Sequence, residues 1–114
     1  MESVSAKHRV IVCTTCAAPG KEPVGEALVA AMRARLGDHF TVEPQECLSV
    51  CAEPQAVAFR APGKAAYLFA GLTADDEADI EAFARLWADQ PDGWIEDARP
   101  AGRLRFCLKG RIPG

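Results

Sequence analysis

The stretch Arg9-Val10-Ile11-Val12-Cys13-Thr14-Thr15-Cys16 decides how the chain is read. Its first five residues are mostly β-branched and almost wholly apolar, the pattern of a short strand covered on both faces. A loop through Pro19-Gly20 follows, and then a helix: Pro23 suits its first turn, Val24, Ala27, Leu28, Ala31 and Met32 fall on one face, and Gly37 fits its stop. Phe40-Thr41-Val42-Glu43 reads as a second strand, kept short by Pro44, which cannot donate a central ladder hydrogen bond. A strand, a helix and a strand joined so closely predict a parallel pair with a right-handed crossover. Both strands then finish at one edge of the sheet.

Working outward, Val57 and Phe59 alternate along a third strand, Pro62-Gly63 makes a turn, and Tyr67-Leu68-Phe69 returns as the second arm of an antiparallel hairpin. Thr73 is a helix cap, Asp75, Asp76 and Glu77 occupy the positive end of the helix dipole, and Ile80, Phe83, Ala84 and Trp87 recur at helical spacing until Pro91-Asp92-Gly93. Near the end, Leu104, Phe106 and Leu108 alternate with Arg103, Arg105, Cys107 and Lys109, which predicts a short strand or an extended arm. The expected fold is α/β: a mixed sheet in the order β-α-β-β-β-α with a parallel first pair, a C-terminal hairpin and an extended basic tail. With 114 residues it forms one domain, 1–114, with its core at about 8–89 and its tail at about 90–114.

A domain of this size buries enough surface to fold without disulfides, so its five cysteines need another explanation. No apolar run approaches the ~18 residues of a membrane span, and Met1 to Arg9 lacks the apolar segment of a secretory signal. These features predict a soluble, cytoplasmic protein. In that reducing compartment an odd number of cysteines points to metal binding, thiol chemistry or simple burial.

The net charge of -3 divides into +5 over residues 98–114, from Arg99, Arg103, Arg105, Lys109 and Arg111, and -8 over the rest. An acidic body repels phosphate, which argues against nucleic acid and anionic membrane as partners. The basic tail suits an acidic partner, and its charges are expected to matter for docking more than for folding. Ordinary solvated surface charge is the plainer alternative.

Cys13-Thr14-Thr15-Cys16 follows the first strand and Cys47-Leu48-Ser49-Val50-Cys51 follows the second. Loops beyond the carboxyl ends of adjacent parallel strands are where open α/β sheets place ligands, so four thiols can converge there. Thiolate sulfur is a soft donor that suits zinc or an iron-sulfur cluster far better than magnesium or calcium. The spacing permits two ligands for each iron of a [2Fe-2S] cluster, or four for one tetrahedral metal such as zinc or cobalt. Buried packing thiols are the structural alternative. The first pair also stands between a strand and a helix, where a helix N-terminus lowers a thiol's pKa, so a thiol-disulfide oxidoreductase using Cys13 and Cys16 is a further reading.

On these residues the sequence resembles the thioredoxin-fold [2Fe-2S] ferredoxins and the related cluster-binding subunits of respiratory dehydrogenases. The stretch Cys47-Leu48-Ser49-Val50-Cys51-Ala52-Glu53-Pro54, followed by a hairpin and a helix, looks like the second half of that domain, and the likeness covers roughly residues 8–89. The resemblance implies a thioredoxin-like fold with Cys13, Cys16, Cys47 and Cys51 as ligands of a [2Fe-2S] cluster serving electron transfer or redox sensing. Those ferredoxins usually place more residues between the first two cysteines. Over its whole length, through the ending Lys109-Gly110-Arg111-Ile112-Pro113-Gly114, the chain also looks like a bacterial family of small proteins described as metal-binding, some of them linked to cobalamin biosynthesis. That likeness suggests metal handling, and a zinc or cobalt binding protein with a structural or metal-delivery role is the alternative. In an oxidoreductase, Pro54 would mimic the cis-proline beside the dithiol, but Val12 stands where tryptophan commonly precedes it.

Cys107 belongs to the tail and is expected to be a surface or packing thiol outside the ligand set. His8 and His39 flank strand starts, away from the cysteine edge, and read as surface or packing residues. No Ser-His-Asp set, phosphate loop or carboxylate pair points to an enzyme. The expected partners are a redox or metal-receiving protein, acidic where it meets the tail, and a second copy in a homodimer.

Overall fold

The computed structural model describes residues 8–14, 25–37, 40–45 and 55–113. β1 (Arg9–Cys13), α1 (Gly25–Leu36), β2 (Thr41–Gln45), β3 (Val57–Arg60), β4 (Ala66–Phe69), α2 (Glu77–Asp89) and β5 (Leu108–Ile112) follow in that order, with 3-10 turns at Ala74–Asp76 and Arg99–Phe106. The strands form one mixed sheet in the order β2-β1-β3-β4-β5. β1 and β2 are parallel, in register from Arg9 opposite Thr41 to Cys13 opposite Gln45, and the remaining neighbours are antiparallel. The expected parallel pair, and the hairpin that extends its sheet, are both present.

Pro44 falls inside β2, which runs two residues beyond the predicted strand. β2 is an edge strand, and only its inner side has a ladder to maintain. The backbone N–H of Thr41 donates to His8 O at 2.9 Å and Gln45 O accepts from Thr14 N at 2.8 Å, so alternate residues face β1 and Pro44 faces outward. On that outer side the Arg33 guanidinium donates to Val42 O through Nε at 3.1 Å and Nη2 at 2.8 Å.

α1 and α2 lie on the same side of the sheet, tied to each other by Arg35, which donates to Glu77 at 3.3 Å and to Glu81 at 3.0 Å. Beneath them Val10, Val12, Val42, Val57, Phe59, Tyr67 and Phe69 meet Leu28, Val29, Met32 and Leu36 of α1 and Ile80, Phe83, Ala84 and Trp87 of α2. Phe83 is the hub of the aromatic core, with ring centroids 4.9, 5.0 and 4.8 Å from Phe59, Tyr67 and Phe69. The buried face of α1 is rotated from the expected one: Val29 is buried and Ala27 exposed, because the larger side chain gains more from leaving water. β1 is also not covered on both faces by the described residues. Ile11, Ala58 and Leu68 form a cross-strand row on the side away from the helices and are only partly buried.

Residues 90–113 are part of the fold rather than a tail. Ile95, Ala101, Leu104 and Cys107 belong to the core. The hydroxyl of Tyr67 accepts from Ile95 N at 2.8 Å, and β5 completes the sheet. The expected strand over residues 103–109 is instead a 3-10 turn that ends at Phe106, followed by a strand that starts at Leu108. In that turn Leu104 is fully buried while Phe106 is 74% exposed, which a strand alternating Leu104 with Phe106 on one face would not give.

The basic residues of this segment are also largely engaged within the fold. Arg99 pairs with Asp97 and holds its carboxyl down at about 2. Arg111 stacks over Trp94 at 3.7 Å and donates to Ile95 O. Arg103 grips Asp76 through Nε to Oδ1 at 2.9 Å and Nη2 to Oδ2, and donates to Gly71 O. Asp76 is the acidic partner of a capping box: its carboxylate accepts from Thr73 N at 2.7 Å, while the Thr73 hydroxyl accepts from Asp75 N at 3.2 Å. The Asp76 side chain is only 6% exposed, so its charge needs this guanidinium. Arg103 therefore has a role in folding, as the counter-charge of the buried Asp76 carboxylate.

Asp76→Asn is expected to destabilise the protein by about 1.5–3 kcal/mol, the usual worth of hydrogen bonds to a charged group, read from the urea midpoint near pH 7. Arg103 and the Thr73 cap hold the Asp76 carboxyl below its ordinary value. Its contribution is therefore complete above an unfolded-state pKa near ~3.9, and is lost as pH falls from there through the lower folded-state value. The Asn variant should lose that part of the acid sensitivity.

Candidate functional site

β1 ends at Cys13 and β2 at Gln45, opposite each other in a parallel register. From there the chain enters residues 15–24 on one side and 46–54 on the other. Cys16, Cys47 and Cys51 lie in these segments, outside the described residues, as does Pro54. What the structure does fix is where both segments begin and end.

Segment 15–24 leaves at Thr14 and returns at Gly25, and these two positions touch. A Cβ on Gly25 would collide with the carbonyl oxygen of Cys13 and stand 2.7 Å from the Cα of Thr14. Only glycine lets the first turn of α1 rest on this strand end. Segment 46–54 leaves at Gln45, whose carbonyl accepts both the N–H of Thr14 at 2.8 Å and its hydroxyl at 3.3 Å. It returns at Gln55 and Ala56, where Ala56 O accepts from Cys13 N at 3.1 Å. All four anchor points are thus gathered around Cys13, which is itself fully buried.

Gln55 is the second organising residue. Its side chain is inside the protein, and its amide nitrogen donates to Cys13 O and, at 3.0 Å, to Ala56 O. Two carbonyl acceptors fix the orientation of the amide, since the flipped form would set oxygen against oxygen. Its own Oε1 is buried with no hydrogen-bond partner among the described residues. Backbone bonds between Gln55 and Leu72, at 3.3 and 3.1 Å, fasten this position to the loop after β4.

The register that aligns Cys13 with Gln45 is reinforced by Arg9 and Glu43, which join β1 to β2 through a two-point contact of 3.0 and 2.8 Å. The hydrogen bonds of Arg9 hold the Glu43 carboxyl below its usual value. Both side chains are partly exposed, so the pair matters more for alignment than for energy.

Cys13 is the one predicted ligand among the described residues, and within them no group of three or more His, Cys, Asp or Glu side chains is close enough to hold a metal. Cys107 is buried in the core, its thiol donating to Arg103 O at 3.6 Å, which is the packing role expected of it. His8 packs against Phe40 and edge-on to Trp87, with centroids 5.7 and 5.4 Å away, again a packing residue. His39 lies outside the described residues.

Gly25 and Gln55 were not legible as site residues. A glycine in a helix's first turn was the available hint for the former, since helices otherwise disfavour it. No sequence pattern marks Gln55. No helix among the described residues is long and apolar enough to cross a membrane.

The same architecture is found in a solved thioredoxin-like [2Fe-2S] ferredoxin from Aquifex aeolicus, with a TM-score of 0.58 and 16% identity over 96% of this chain and 97% of that one. A wild-type thioredoxin-like [2Fe-2S] ferredoxin structure from the same organism gives 0.56 at 10% identity, over 92% and 98%. At these identities the likeness establishes the fold, thioredoxin-like with a mixed five-stranded sheet. It extends beyond the 8–89 span of the sequence resemblance. No curated protein matches the sequence. The family model described as protein of unknown function (DUF1636) matches residues 10–114, and the chain belongs to that family.

Proposed function

We propose that this protein binds a [2Fe-2S] cluster at the carboxyl ends of β1 and β2, with Cys13, Cys16, Cys47 and Cys51 as ligands, and serves electron transfer or redox sensing in the cytoplasm. The observation that carries this reading is that the residues flanking both cysteine-bearing segments are gathered around Cys13. Thr14 and Gly25 bracket one, and Gln45 and Gln55 bracket the other. Four soft thiolates, one at this strand end and three carried by the two segments anchored there, would match the donor chemistry of an iron-sulfur centre. The fold shared with proteins named as thioredoxin-like [2Fe-2S] ferredoxins adds to it.

Such a cluster would supply one-electron transfer. The chain's own part is to hold the ligands: Gly25 brings the start of α1 against Cys13, and Gln55 clamps the Cys13 carbonyl. Outer groups of this kind orient first ligands and tune a metal centre. A redox protein is the partner this function requires.

Anaerobically purified protein should show visible absorption with iron and acid-labile sulfide. Replacing any one of Cys13, Cys16, Cys47 or Cys51 by Ser should remove most of that absorption, because a hydroxyl is a harder and less acidic donor. Cys107→Ser should keep it. Zinc without iron or sulfide, even after anaerobic reconstitution, would instead support the metal-binding role, and metal-free protein with a reversible Cys13 to Cys16 disulfide would support the oxidoreductase. Gly25→Ala is expected to destabilise the fold by roughly 1–3 kcal/mol, the cost of forcing a methyl group against packed backbone, with the urea midpoint as its measure.

A further inference from the structure

The two outer edges of the sheet are treated differently. At β2 the outer side is blunted by Pro44, which has no N–H to offer, and by Arg33, which occupies the carbonyl of Val42. At β5, the other outer strand, no described strand follows. An open edge is a template for pairing with another chain, and proteins normally guard against it.

Three large apolar side chains among the described residues are exposed, and all three belong to this segment: Phe106 at 74%, Leu108 at 39%, on the Phe69 side of the sheet, and Ile112 at 66%, on the opposite side with Ala66. Arg103 is neutralised by Asp76, but residues 105–112 carry Arg105, Lys109 and Arg111 and no acid. Like charges would oppose one another if this edge met the same edge of a second copy. An acidic segment would be attracted by those charges and could cover the apolar side chains at the same time.

We propose that the outer edge of β5, with Phe106, Leu108 and Ile112, is a docking strand for an extended segment of a partner protein that alternates acidic and apolar residues. Main-chain pairing along β5 supplies the strand-addition geometry, the apolar side chains supply contact area, and the basic residues select for acid.

The position of the edge connects it to the cysteines. Register passes from Val12 to Val57, from Val57 to Phe69 and from Phe69 to Leu108. The start of β5 therefore lies at the same end of the sheet as Cys13, three strand spacings away, or about 14 Å. Naming the docked protein as the electron partner rests on the cluster reading; the docking itself does not.

The test uses the full chain and a short synthetic peptide that alternates glutamate and valine, with a lysine-valine peptide as control. Binding is followed by NMR of backbone amides. The glutamate peptide should shift the amides of residues 106–112, slow their hydrogen exchange and lose affinity as salt rises. Phe106→Asp combined with Ile112→Asp should weaken binding about tenfold or more, the effect expected of central contacts. Both side chains are exposed, and an unchanged urea midpoint would show that the variant folds. A Cys13→Ser variant with an intact fold should bind as well as the parent, which separates this surface from the cluster reading. The proposal is overturned if the glutamate peptide does not bind, if its shifts lie elsewhere, or if the double variant binds equally well. It is also overturned if sedimentation shows a dimer that the double variant dissociates, because the edge would then belong to a second copy.

Discussion

The contact between Gly25 and the end of β1 is the constraint on which the rest of the site depends. α1 has to begin against the backbone of Cys13 and Thr14, and the absence of a side chain at Gly25 permits that approach. Once α1 begins there, it runs back along the sheet, buries Leu28, Val29, Met32 and Leu36, and returns the chain for β2 to lie parallel to β1. The parallel register then puts Gln45 beside Cys13. One close approach thereby sets both the crossover and the place where the two cysteine-bearing segments are anchored.

Gln55 closes the arrangement from the other side of β1. Burying an amide is unfavourable unless its groups are satisfied, and here the nitrogen has two acceptors while the oxygen has no donor among the described residues. A hydrophobic residue in its place would leave the Cys13 carbonyl without this donor. The amide thus fixes the strand end that bears Cys13.

What was legible in the sequence was what local periodicity encodes. The alternation of Val57 and Phe59 and the spacing of Ile80, Phe83, Ala84 and Trp87 gave strand and helix as found, because burial on one side imposes those periods. Spacing and topology single out the two cysteine pairs, and three of the four cysteines lie outside the described residues. The segment after α2 was misread because its determinants are long-range. Arg103 and Arg105 look like one face of a strand, yet Arg103 is recruited by Asp76 from the cap of α2, and Gly102 turns the chain with a φ of 62° that breaks any alternation. Gly25 and Gln55 escaped for the same reason: each acts on Cys13, distant in sequence, and neither belongs to a repeat that would reveal it.

The charge split acquires a different meaning in three dimensions. Counted along the chain, the last residues are a basic block; in the fold, Arg99 faces Asp97, Arg103 faces Asp76, and Arg111 lies on Trp94. These contacts fold the segment onto α2 and carry β5 into the sheet. A segment whose charges were all held free for a partner would be solvated and mobile, and its strand would lack a fixed edge. Because Arg103 and Arg111 are anchored, the strand between them is presented as a rigid template while the residual positive charge stays near it. Folding and presentation are therefore served by the same residues, and the apolar side chains left outside, Phe106, Leu108 and Ile112, are those that such anchoring leaves uncovered.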